Sequence, residues 1–312
     1  MNHATGAPEV RIADYWLHEE LPARNTEMAY RATHRVLPRV ARLAILRPAF
    51  AGFRHAEAQL TREACVLETL HHSGVPRVFE CGIHDRRPWV ASEHVAGTAI
   101  EDAAAAHPLS ISDALAVVRD AAAILAHAHR RRVAHRDITP RSIVRTPQRG
   151  FPVCITCWGD AALDDRVLPR PDDPGARFYR APESADGDRG GTAADVFALG
   201  AVMFEATTLV LPEPIQQFPG VPVAFHHLLA AMLARSPGER PTAEAVHGEA
   251  ARLAELYSDG DAAIEEVEVE LVDISRTAAA LPNLGWMPPD PPAPPVQAAL
   301  GSSIRRRRDT PR

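Results

Sequence analysis

The sequence predicts an α+β fold in two unequal lobes: a small β-rich N-lobe over about residues 11–94 and a helical C-lobe over about 95–258. Two observations predict it. Short strand-like runs crowd the first part around one helical stretch, and beyond residue 96 apolar residues recur at helical spacing. In the N-lobe the runs are Met28 to Thr33, Ala41 to Leu46, Arg77 to Gly82 and Pro88 to Glu93. The helix is Phe53 to Leu70, where Ala56, Leu60, Ala64 and Leu67 form one stripe. In the C-lobe, Ser110 with Asp113 makes a capping pair before a helix from Ala114 to His129. Thr192 is placed to cap an apolar helix from Ala193 to Thr207, and Val223 to Ala234 forms another. Pro241-Thr242-Ala243-Glu244 opens a last helix that ends near Leu256.

Outside this domain (residues 11–258) lie an N-terminal tail over 1–10, a short extension over 259–281 and a tail over 282–312. In the extension, Glu266 to Leu271 alternates acidic and apolar residues as a half-exposed strand does. Pro282 to Pro295 is proline-rich and carries overlapping P-x-x-P pairs, and Arg305 to Arg308 is a basic run, so the tail reads as extended and disordered. It is expected to serve as a spacer, with docking of the P-x-x-P pairs to an SH3-like or WW-like groove, or of the arginines to an acidic partner or a membrane surface, as the sharper alternatives.

At 312 residues with 46% hydrophobic and 24% charged content, the chain can bury sizeable cores. The net charge of −6 gives no argument for nucleic-acid binding. The start, Met1 to Gly6, has neither a basic segment nor an apolar core, and the run Val196 to Leu211 is too short and polar to span a bilayer. A cytoplasmic protein without a transmembrane segment is expected, with Cys65, Cys81, Cys154 and Cys157 reduced. Cys154 and Cys157 have half a zinc-site spacing without a second pair, so buried or half-buried thiols are expected there.

All 34 basic residues are arginine; there is no lysine. This bears on the run Val133-Ala134-His135-Arg136-Asp137-Ile138-Thr139-Pro140-Arg141-Ser142-Ile143-Val144, which reads like a kinase catalytic loop. Tyr179-Arg180-Ala181-Pro182-Glu183, Asp195-Val196-Phe197-Ala198-Leu199-Gly200 and Arg240-Pro241 follow in order. Over about residues 25–256 the chain resembles the bacterial eukaryotic-like Ser/Thr protein kinases. The resemblance implies that Asp195 holds the catalytic-loop backbone and that Glu183 pairs with Arg240. It also implies that Glu93 lies at the hinge, that Glu63 is the N-lobe helix glutamate, and that Trp158 takes the phenylalanine place in a hydrophobic column with Leu67 and His135. The alternative for Trp158 is to fill a vacant nucleotide cleft.

The nucleotide-handling positions depart from the family. Ala41-Arg42-Leu43-Ala44-Ile45-Leu46-Arg47-Pro48 aligns with the strand that carries the phosphate-anchoring lysine. Ala44 takes the lysine place, and Arg42 that of the small alanine over adenine. No glycine occurs between Gly6 and Gly52, where a phosphate-cradling loop is expected. Ser142 stands for the metal-binding asparagine, and Cys157-Trp158-Gly159 for Asp-Phe-Gly. Magnesium prefers hard oxygen ligands, so no metal site is expected at Ser142 and Cys157. Asp160 is read as pointing elsewhere. Thr139 replaces the catalytic-loop lysine and Ala176 a threonine. Between Trp158 and Glu183 only Tyr179 offers a phosphate acceptor, and Asp172 or Asp173 is placed to give Arg136 a fixed acidic partner.

His135, Arg136 and Asp137 therefore read as catalytic residues in vestige, with Asp137 kept as a structural carboxylate. The expected function is a pseudokinase: a regulator or scaffold for a protein partner, such as an active kinase or another phosphorylation-pathway component, needing no cofactor. One alternative is an atypical or weakly active Ser/Thr kinase using ATP and Mg, with Arg42 or Arg31 standing in for the lysine. Another is a sensor holding a different small molecule in the remodelled cleft.

Overall fold

The computed structural model describes residues 10–163, 175–185, 191–210 and 221–258, all within the first of the chain's two units, 1–267. Glu266 to Leu271, the proline and arginine runs, Asp172 and Asp173 lie outside the described residues.

The N-lobe is a six-stranded antiparallel sheet ordered β1-β2-β3-β4-β6-β5, with β1 Arg11–Ile12, β2 Tyr15–Leu21, β3 Glu27–His34, β4 Val40–Leu46, β5 Val78–His84 and β6 Arg87–Glu93. Alternation along the strands gives the sheet two apolar faces. Leu43 and Ile45 of β4 pack with Tyr15, Ala32 and Trp89 on one face. Ala44 and Leu46 turn to the other, against Ala56, Leu60 and Ala64 of helix α1 (Arg54–Thr69). The strands of residues 11–21 were not expected.

The C-lobe is built around α3 (Ile111–Arg130), α5 (Thr192–Thr208) and α7 (Ala243–Ser258), with the shorter α2 (Ile100–Ala106), α4 (Pro182–Ala185) and α6 (Val223–Met232). Its core continues into Leu67 and Leu70 at the end of α1, so one apolar cluster joins the lobes. Ser110 Oγ accepts the amide of Asp113 at 3.1 Å, the expected cap. Thr192 does not cap α5. The N-cap is Gly191, with no side-chain hydrogen bond, because Thr192 is already the first helical residue. Five short strands complete the lobe: β8 (Val133–Ala134) pairs with β11 (Ala162–Leu163), and β9 (Ile143–Arg145) lies between β10 (Val153–Ile155) and β7 (Thr98–Ala99).

Cys154 is buried on β10, and burial pushes its thiol up to about 12, which keeps it a neutral packing group. Cys65 and Cys81 are exposed, and no cluster of three metal-ligating side chains occurs among the described residues. No helix of the described residues is long and apolar enough to cross a membrane.

His127, near the end of α3, has its Nε2 buried without a hydrogen-bond partner, and its ring lies 4.9 Å from that of His72. Burial, with the charges of Arg131, His72, Arg130 and His71, pushes its pKa down to about 4. An unfolded histidine titrates near 6.5. Between those values the unfolded chain binds a proton that the folded chain refuses, so stability falls as pH falls. Melting temperature recorded from pH 7.5 to 4.5 should decline below about pH 6.5. His127→Leu should flatten that decline.

Candidate functional site

Between the lobes, the turn joining β2 and β3 and helix α1 meet the C-lobe turn 157–160, which the loop 135–142 contacts in turn. The C-lobe side of this cleft rests on Asp195 in the first turn of α5. This fully buried carboxylate accepts the backbone amides of His135 and Arg136, both at 2.7 Å. His129 Nε2 lies 2.9 Å from the same group. Burial pushes the Asp195 carboxyl up, but the His129 hydrogen bond, the charges of His129 and His135 and the Arg136 amide outweigh it, and the net direction is down. The contact with the catalytic-loop backbone is the one the resemblance implied; His129 had no sequence signal beyond lying on α3.

His135 is buried. Its Nε2 bonds to the carbonyl of Thr156 at 2.8 Å, and its Nδ1 accepts the amide of Asp137 at 3.1 Å. The ring of fully buried Trp158 meets it edge-on at 4.5 Å, while Trp158 Nε1 donates to the carbonyl of Ile155 at 2.8 Å. Trp158 shares the lobe-joining core with Leu67 and so packs in the column instead of filling the cleft. Arg136 carries a positive φ of 67° and donates to the carbonyl of Asp160 at 3.2 Å. Asp137 itself is half-buried.

Ser142 and Cys157, where no metal site was expected, make local contacts. Ser142 Oγ, fully buried, accepts the amide of Thr139 and donates to its carbonyl, both at 2.9 Å. Cys157 sits in the left-handed region at φ 67°, with its sulfur 3.6 Å from Thr156 Oγ1. Burial raises its pKa against the opposing pull of Arg24 and Arg42, so the thiol stays protonated at neutral pH.

Two arginines, Arg24 and Arg42, stand near Glu63 and Glu27. Ala44 is 1% exposed in the apolar cluster facing α1, directly across from Ala29 on β3. Arg42, two residues earlier and on the same face, bonds to buried Glu27 at 2.9 Å instead of reaching Glu63. Arg31 is directed to Glu19 at 3.8 Å. Neither takes the lysine's place beside Glu63. Arg24 does, from the glycine-free turn Pro22 to Thr26 between β2 and β3. Its Nη1 donates to Glu63 Oε2 at 3.2 Å, its Nη2 donates to the carbonyl of Cys157 at 3.2 Å, and its Nε lies 3.7 Å from Asp160 Oδ2. Burial opposes the Arg24 charge, but Glu63, Glu27 and Asp160 more than compensate, and its pKa is raised.

Asp160 overturns its expected placement. Asp160 ends the 3-10 turn Trp158–Asp160, and its carboxylate faces α1 and Arg24. Its carboxylate is 9% exposed and accepts Gln59 Nε2 of α1 at 2.7 Å.

Glu93, at the end of β6, spends its carboxylate on Arg149 at 2.9 Å and Arg77 at 3.5 Å. Those three residues line a groove of about 550 Å³ with His71, His72 and Leu67; its lining includes none of Arg24, Arg42, Glu63, Asp137 and Cys157. On the C-lobe, Arg240 forks onto Glu183 at 2.6 and 2.7 Å. Ala176 is buried, and the hydroxyl of Tyr179 donates to Glu205 at 2.5 Å.

Residues 51–250 match the family model of the protein kinase domain. The chain belongs to the protein kinase domain family. Among curated relatives, it is 29% identical to the serine/threonine-protein kinase PknJ of Mycobacterium tuberculosis over 287 residues, 83% of this chain and 49% of that protein. It is 30% identical to the serine/threonine-protein kinase PrkC of Bacillus subtilis over 204 residues, 64% of this chain and 31% of that protein. It is 24% identical to the serine/threonine-protein kinase PknE of M. tuberculosis over 287 residues, 84% of this chain and 50% of that protein. The chain thus spans about half or less of the length of these kinases. Within the kinase domain, sequence reasoning missed Arg24, Gln59 and the inward placement of Asp160.

Proposed function

We propose that this kinase-domain chain is a pseudokinase: a regulator or scaffold that offers its folded surface to a protein partner in a Ser/Thr phosphorylation pathway. One observation carries the reading: the two positions where the family holds its metal present a neutral thiol and a backbone-bonded hydroxyl, Cys157 and Ser142, in place of a carboxylate and an amide oxygen. Magnesium requires octahedral oxygen donors, and this donor set does not suit a magnesium nucleotide. The charge inventory points the same way. Arg24 and Arg42 stand among Glu27, Glu63 and Asp160, so the phosphate end carries no surplus positive charge for a triphosphate.

A second reading has specific support. The relatives are named as serine/threonine-protein kinases, Asp137 is retained, and Arg24 puts a cation beside Glu63. Arginine is a good phosphate ligand. On that reading the chain is an atypical Ser/Thr kinase, with Asp137 positioned toward the hydroxyl of a substrate.

Thermal-shift titration with ATP, with and without magnesium or manganese, separates the two. A ligand at about 100 times its dissociation constant stabilises a fold by about 2.7 kcal/mol, roughly 5–10 °C for a domain of this size. The pseudokinase reading expects no saturable shift and no labelling of a generic Ser/Thr substrate. A metal-dependent shift, with phosphate transfer abolished in Asp137→Ala, establishes the kinase instead.

A further inference from the structure

We infer that Arg24 is a positioning residue: an internal counter-ion that holds α1 against the turn 157–160 with no ligand in the cleft. Its guanidinium joins three separate parts of the cleft: the turn between β2 and β3, Glu63 on α1, and both Cys157 and Asp160 of the C-lobe turn. Nη1 and Nη2 each donate one hydrogen bond, and Nε stands at ion-pair distance from Asp160. The side chain is one-fifth exposed, and Glu63 and Asp160 are buried to a similar degree. Two carboxylates brought together in that setting repel each other unless a cation stands between them. Gln59, one turn before Glu63, adds a direct bond from α1 to Asp160.

A second, independent feature fits the guanidinium to this place. Gly159 has no side chain, and a Cβ there would lie 2.2 Å from Arg24 Nη1. The guanidinium therefore sits closer to the turn than a side chain at 159 would allow without moving it. Catalytic-loop Arg136 donates to the Asp160 carbonyl, which carries the position of α1 through to the loop 135–137. A partner that reads α1 or the catalytic-loop surface would meet a set arrangement without nucleotide. The inference concerns the ligand-free chain and stands whether the pseudokinase or the kinase reading is correct.

The test is hydrogen exchange by mass spectrometry on the ligand-free full chain. Arg24→Ala should raise exchange at least tenfold in residues 54–69 and 157–163, while residues 192–208 in the C-lobe core stay as in the wild type. Gly159→Ala, which displaces the guanidinium without removing it, should do the same. Addition of 20 mM guanidinium, against a control of equal potassium chloride, should restore protection in Arg24→Ala by refilling the space between Glu63 and Asp160. It should not rescue Gly159→Ala, where the methyl group blocks that space. Unchanged exchange of α1 in both variants overturns the inference, as does an equal rise everywhere, which would mean general destabilisation. Should Arg24→Ala fail to fold, Gly159→Ala decides. The nucleotide titration described above is read separately: it can sink the pseudokinase reading while leaving this result untouched.

Discussion

Asp195→Ala should cost the fold about 2–6 kcal/mol, enough to unfold a chain of ordinary marginal stability or leave it barely folded. The estimate comes from the bonds lost. Asp195 has no exposed surface and accepts the amides of His135 and Arg136 at 2.7 Å each. Alanine takes that acceptor from both amides, and each buried donor so deprived costs about 1–3 kcal/mol. The His129 contact at 2.9 Å is lost as well. Asp195→Asn keeps one oxygen but faces the donors with an amide group, so an intermediate loss is expected. Urea denaturation of the three proteins gives the order directly. Alanine and asparagine variants as stable as the wild type would mean that the catalytic-loop backbone is held by other bonds.

The pH dependence supplies a second readout. The folded pKa of Asp195 lies below its ordinary value despite burial. An Asp that is easier to ionise when folded adds stability above its unfolded pKa of about 3.9, and loses it as pH falls through the folded value. Asp195→Asn should therefore remove part of the acid-induced loss below about pH 4. The same variant should leave untouched the milder decline between about pH 6.5 and 4, which comes from histidines such as His127.

Features with a local period or a short motif were legible in the sequence. The Ala56, Leu60, Ala64 and Leu67 stripe appears as expected because helical spacing alone puts those residues on one face. Asp195, Glu183, Arg240, His135 and Trp158 meet the partners implied for them, since each sits in a motif with a fixed backbone shape. The first two strands were missed because β2 is mostly half-exposed and its polar run His18-Glu19-Glu20 hides the alternation. The contents of the cleft were illegible for another reason. Arg24 and Glu63 lie 39 residues apart, and Gln59 and Asp160 lie 101 apart. Nothing local marks an arginine in a turn as an ion-pair partner for a helix on the far side of the sheet. For Asp160 the deciding fact is a backbone angle: Cys157 at positive φ starts a 3-10 turn where an extended reading sends the carboxylate away. A non-glycine residue in that region costs energy and depends on its surroundings to hold it.

Arg240→Ala should destabilise the protein by about 3–5 kcal/mol, the usual effect of breaking a buried ion pair from one side. The Arg240 side chain has no exposed surface, and Glu183 is about one-seventh exposed. All five N–H groups of an arginine are accounted for here. Two go to Glu183, one to the carbonyl of Ala234, one to that of Ala193 and one to that of Arg235. The guanidinium also lies over the ring of Phe197 at 4.9 Å. Lysine has three donors on a tetrahedral centre and cannot reproduce the fork, so Arg240→Lys should lose most of the same stability. Burial pushes the Glu183 carboxyl up, but the Arg240 hydrogen bonds and charge bring it below its ordinary value. Its stabilising share is therefore present at neutral pH and lost as pH drops below about 4.3. Glu183→Gln, which keeps the shape and one acceptor, should cost less than Arg240→Ala. A double-mutant cycle with Glu183→Ala and Arg240→Ala should show a coupling of about 0.5–3 kcal/mol. Additive losses would mean that Arg240 acts through the three carbonyls alone, and that the end of the 175–185 segment is held to the C-lobe by packing and not by charge.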